Sequence, residues 1–109
     1  MIEIIFDMSQ YKVTFKGHAE SEVKDAANHD LICGCASILF YTLHENLLQM
    51  PEFYRKGSLK TTVSKGDASV QCTPKAKYEG NISMLYLVIY NGLKLLEGDY
   101  PENISIRLM

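Results

Sequence analysis

The chain has 109 residues, 47% of them hydrophobic, with 11 Lys and Arg against 13 Asp and Glu for a formal net charge of −2. That suits one domain spanning residues 1–109, able to bury roughly 60 to 70% of the surface its unfolded form exposes without a staple or a metal. The weak acidic balance excludes a general field that draws in nucleic acid or an anionic membrane.

The longest purely apolar run, Met84 to Tyr90, falls far short of the roughly 18 residues a membrane span needs. The acidic start Met1-Ile2-Glu3 lacks the features of a cleavable signal. The expectation is a cytoplasmic protein with no membrane partner and no direct nucleic-acid partner. Three cysteines, with Cys33 and Cys35 too close on one helix to bridge each other, argue against a disulfide framework.

Ile2, Ile4 and Phe6, then Tyr11, Val13 and Phe15, alternate along two strands joined by a hairpin at Met8-Ser9-Gln10. After Gly17-His18 the chain loses periodicity from Ala19 to His29 and reads as a polar loop. Leu31 to Met50 reads as a helix, with Leu31, Ile32, Cys35, Ile38, Leu39, Thr42, Leu43 and Leu47 forming its buried face and Pro51 stopping it. Pro51 to Gly57 is a second loop. Leu59, Thr61 and Val63, then Ala68, Val70 and Cys72, alternate on either side of Ser64-Lys65-Gly66-Asp67 as a second hairpin.

Asn81 caps a second helix over Ile82 to Glu97, ended by Gly98 and by Pro101 beyond it. Its apolar residues cover more than one stripe, so its second side is expected to meet a partner subunit in a homodimer. Ile104, Ile106 and Leu108 form a last strand. The order is ββαββαβ, an α+β fold with two helices packed on one mixed or antiparallel sheet.

The stretch that carries chemistry is Gly17-His18-Ala19, the loop, and Asp30-Leu31-Ile32-Cys33-Gly34-Cys35-Ala36-Ser37. With Asp30 as N-cap, its carboxylate accepts from the N–H of Ile32 or Cys33, and Cys33 lies in the first helical turn. There the dipole and a neighbouring imidazolium favour thiolate, which is a nucleophile. His18 stabilises the thiolate and then protonates a departing amine. Ser37, one turn on, positions the sulfur or donates to an oxyanion, and the first-turn N–H groups are the other oxyanion donors. Cys35 and Cys72 are assigned to the core. His29 and His44 are competing bases expected to face solvent. A zinc site from His18, His29, Cys33 and Cys35 lacks a second paired ligand set, so no metal is expected.

At Gly17-His18-Ala19 and Asp30-x-x-Cys33-x-x-x-Ser37 the chain resembles the ribosomal-processing cysteine proteases called Prp, and the resemblance runs over nearly the whole chain. It implies a cysteine endopeptidase, without a cofactor, that removes a short N-terminal extension from a large-subunit ribosomal protein. It implies Cys33 as nucleophile, His18 as base and acid, and Asp30 and Ser37 in support. It further implies a homodimer and a loop, including Ala19, Glu20, Glu22, Lys24 and Asn28, that orders over the bound peptide segment. The chain departs from the family pattern in having no Gly in the stretch before Asp30, and in carrying Gly34-Cys35 after the nucleophile. The competing expectation is a ribosome-associated, non-enzymatic module that binds through Phe53-Tyr54-Arg55-Lys56 and the second helix.

Overall fold

A computed structural model describes residues 1–109. Its elements are β1 (Ile2–Asp7), β2 (Lys12–Lys16), α1 (Leu31–Leu48), β3 (Lys60–Ser64), β4 (Asp67–Gln71), α2 (Glu79–Asp99) and β5 (Ile104–Leu108). The strands lie in the order β3-β4-β2-β1-β5. All neighbours pair antiparallel except β1 and β5, which run parallel, so the sheet is mixed.

These pairings make β2 parallel to β3 and β4 parallel to β5. A parallel return needs a long crossover, and α1 and α2 supply the two. Period-two alternation sends Ile2, Ile4, Phe6, Val13, Phe15, Val70, Ile104 and Ile106 into the core beneath the helices, where all are buried. Polar residues such as Glu3, Lys12, Thr14 and Ser69 occupy the alternate positions. Two layers around one core follow from burying one face of the sheet.

The helices differ in detail from the sequence expectation. Helix α1 buries Ile32, Ala36, Phe40, Leu43 and Leu47. Leu31, Ile38 and Thr42, assigned to its buried face, are exposed, and Cys35 is exposed rather than core. Because α1 is apolar almost all round, several phases of a 3.6-residue stripe fit it equally well. Docking sets the one observed: Phe40 meets Phe15 edge to face, with ring centroids 5.3 Å apart. By length and composition α1 is also apolar enough to cross a membrane, although no uninterrupted apolar run in it is long. Here it covers the sheet.

Helix α2 starts at Glu79, because a 3-10 turn over Ala76–Tyr78 runs directly into it. Asn81 therefore lies inside the first turn, not at the cap, and Gly98 lies inside the last turn. Tyr86 is buried against the sheet and donates from its hydroxyl to the Tyr11 carbonyl at 2.7 Å. Tyr54 is buried too, donating to the Leu47 carbonyl at 2.8 Å, and Phe53 stacks on Tyr78 at 4.5 Å. Two of the four residues of the supposed binding loop thus pack inward.

Candidate active site

Gly17 ends β2 at φ +94°, and a Cβ there would collide with the Met1 carbonyl oxygen. Its N–H donates to the Gly66 carbonyl at 2.9 Å, tying the end of β2 to the β3–β4 turn. Gly66 itself has φ +76°, and a Cβ on it would come within 3.0 Å of His18 Nε2. Only glycine at both positions accepts the backbone without strain, and at position 66 it also leaves the His18 ring its place.

Ala19 is buried at 1% exposure, and its N–H donates to the Cys33 sulfur at 3.2 Å. Its carbonyl accepts from Asn103 Nδ2 at 3.0 Å. The next residue, Glu20, takes φ +54°, a left-handed conformation unfavourable for a side chain of its kind. Ser21 is buried, and it binds Asp30 twice, through its N–H at 2.7 Å and its hydroxyl at 3.0 Å. From Ser21 to Asp30 the chain is a small pinned hairpin. Lys24 and Asp30 form a bridge, and the Leu31 N–H donates to the Val23 carbonyl at 2.9 Å.

Asp30 caps α1, accepting from Ile32 N–H at 2.9 Å and Cys33 N–H at 3.2 Å. Burial pushes its carboxyl up, but the hydrogen bonds from Ser21, Cys33 and Ile32 outweigh that and hold it down to about 2. All four N–H groups of the first turn are therefore engaged: Leu31 by Val23, Ile32 and Cys33 by the Asp30 side chain, and Gly34 by the Asp30 carbonyl. None is free to receive an oxyanion, which removes the donors expected from the sequence.

Cys33 is half-buried on the wall of a cleft of about 270 Å³. His18, Ser37, Phe40 and Tyr41 line it with Cys33, and Val63, Ser64 and Asp67 of the β3–β4 hairpin close the other side. His18 and Cys33 thus share one cleft, with Ser37 a turn further along α1. His29 does not join them; it is exposed at the loop tip with Nδ1 3.2 Å from Asp25. His44 is half-buried on α1 outside the cleft. No three His, Cys, Asp or Glu side chains are grouped so as to hold a metal. Of the loop residues singled out, Ala19 belongs to the support of Cys33, Lys24 lies 3.5 Å from Asp30, and Glu20, Glu22 and Asn28 are exposed.

Sequence reasoning missed Ser21 and Asn103, and it found the β3–β4 hairpin without placing it at the site. Ser21 has a local signal, a hydroxyl in a polar loop near a cap. Asn103 has none, because it acts across 84 positions.

No family model matches the sequence, and a comparison with curated proteins finds no match. Solved structures do match. The essential ribosomal processing protease Prp from S. aureus, in complex with a covalently linked product peptide, is similar with a TM-score of 0.77 at 16% identity, over 100% of both chains. The same protease in complex with a substrate peptide gives 0.73 at 15%, again over 100% of both chains. The chain has the Prp fold. SMU.848 from Streptococcus mutans is similar too, with a TM-score of 0.65 at 18% identity, over 99% of this chain and 91% of that one. The resemblance to Prp carried by Gly17-His18-Ala19 and Asp30-x-x-Cys33 and the Prp fold found in space therefore agree along the whole chain.

Proposed function

We propose that this protein is a Prp-type cysteine endopeptidase that removes a short N-terminal extension from a large-subunit ribosomal protein in the cytoplasm. The observation that carries the reading is that His18 and Cys33 line one cleft, with the Ala19 N–H donating to the sulfur. The Prp structures that share this fold hold a substrate peptide and a covalently linked product peptide.

The chemistry follows from the groups present. The Ala19 N–H donates to the Cys33 sulfur, and His18 is the base in the cleft that takes the thiol proton. The thiolate attacks the scissile carbonyl, His18 protonates the departing amine, and water releases the acyl-enzyme. With the first-turn N–H groups occupied, the Ser37 hydroxyl is the donor on this wall that meets the oxyanion. Phe40, Tyr41 and Val63 give the cleft an apolar, aromatic lining suited to an apolar peptide segment. The exposed apolar stripes of α1 and α2 are the faces through which two copies pair as a homodimer.

The test is mass spectrometry of the source organism's own large-subunit ribosomal protein, extension included, after incubation with each variant. Wild type and Cys35→Ala cut once, Cys33→Ala does not cut, and Ser37→Ala cuts about 10²- to 10³-fold more slowly, the usual effect of losing one oxyanion donor. A cut made by Cys33→Ala would sink the assignment.

A further inference from the structure

We infer that Asn103, from the turn between α2 and β5, is a positioning residue for the nucleophile, acting through Ala19. The inference rests on the peptidase reading above. Ala19 is the one backbone unit whose N–H reaches the Cys33 sulfur, at 3.2 Å. It stands between two points where the chain has no intrinsic reason to keep its course. Gly17 has the freest backbone of any residue type, and Glu20 is held at φ +54°. A strained residue persists only where its surroundings over-determine it. Here the two anchors are visible: Asp30 grips residue 21 through the Ser21 N–H at 2.7 Å, and Asn103 grips residue 19 through the Ala19 carbonyl at 3.0 Å.

Asn103 is itself fixed. Its backbone N–H donates to the Tyr100 carbonyl at 3.0 Å, and its carbonyl accepts from the Ile2 N–H at 2.9 Å. The amide is thus mounted on the edge of the sheet, where β1 and β5 begin their parallel pairing. Take the amide away and the Ala19 carbonyl, on a residue only 1% exposed, loses its partner. Glu20 is then free to relax to negative φ, and the Ala19 N–H turns off the sulfur.

The three cysteines supply the test. Cys33 reads the site, exposed Cys35 reads the reagent, and buried Cys72 reads the fold. Iodoacetamide labelling at about pH 6.5 is followed at each cysteine by site-resolved mass spectrometry, for wild type, Asn103→Ala and the near-isosteric, uncharged Asn103→Leu, which keeps the shape but not the donor. In wild type Cys33 reacts faster than Cys35. In both variants the Cys33-to-Cys35 rate ratio falls by about three- to tenfold, the size of one lost hydrogen bond, while Cys72 stays protected. If the alanine variant exposes Cys72, the leucine variant decides. An unchanged ratio with Cys72 protected overturns the role of Asn103 and leaves the peptidase reading standing. A wild-type Cys33 no faster than Cys35 overturns the peptidase reading itself.

Discussion

The smallest determinants of this site are two glycines and a carboxylate. A methyl group at position 66 meets the tip of a flexible ring, so its steric effect falls on His18, while the left-handed φ of +76° carries the stability loss. Gly66→Ala is expected to destabilise by about 1 to 2 kcal/mol in urea unfolding. On the proposed reading it should lower peptide cleavage by more than that loss alone would explain, because His18 is displaced. A variant with unchanged kcat/KM would show that His18 is not held there for catalysis. Asp30 sets a pH dependence with a definite sign. Its carboxyl ionises about 2 in the folded protein against the ordinary 3.8, so the stabilisation is fully present above pH 3.8 and is lost as pH falls from there through about 2. The gap in Tm between wild type and Asp30→Asn should be constant above about pH 4 and close between about pH 4 and pH 2. A gap that persists at pH 2 would mean the charge is not what the cap contributes.

At the scale of elements, the strands were legible and the helix faces were not. Alternation such as Ile2, Ile4, Phe6 has only two phases, and polar residues at the alternate positions leave one of them to be buried. On α1, Leu31, Cys35, Ile38 and Leu39 form as good a stripe as Ile32, Ala36, Phe40 and Leu43, and only the sheet beneath distinguishes them. The candidate site divides in the same way. Cys33, His18, Asp30 and Ser37 were readable because their spacing around a helix N-terminus is local. The partners that hold them, the Ala19 N–H and Asn103, are a backbone group and a distant side chain that leave no pattern in sequence, and the β3–β4 hairpin, legible as a hairpin, carries no local sign that it closes the cleft. The helix assignment has its own check. Phe40→Ala should cost about 3 to 5 kcal/mol in urea unfolding, as deletion of a buried aromatic does, whereas Ile38→Ala, 67% exposed in the single chain, should stay within about 0.5 kcal/mol when unfolding is followed at concentrations where the protein is monomeric. Equal losses would restore the stripe expected from sequence.

Over the whole molecule, the outer surface of the helical layer is more apolar than solubility requires. Ile38 is 67% exposed on α1, while Met84, Val88 and Leu95, the last at 76%, stand in one row on α2. If two copies pair through these rows, Ile38→Glu combined with Leu95→Glu converts a dimer to a monomer by light scattering, with helix content unchanged. A wild type that scatters as a monomer at micromolar concentration would remove the pairing. The opposite edge of the layer is protected. Glu97 on α2 accepts the Ile106 N–H at 2.7 Å, so the outermost strand, β5, offers one fewer free donor to a stray chain. The parallel pairing of β1 with β5, Ile2 beside Ile104, also sets the order in which the protein can be made. During synthesis the N-terminal hairpin and α1 leave the ribosome long before the strand they need, and this long-range closure comes after all the local ones. Cys33 is therefore translated early and equipped late: until residue 103 emerges, Ala19 has only the Asp30 anchor and lacks the Asn103 one, so a half-made chain carries the thiol with its support incomplete.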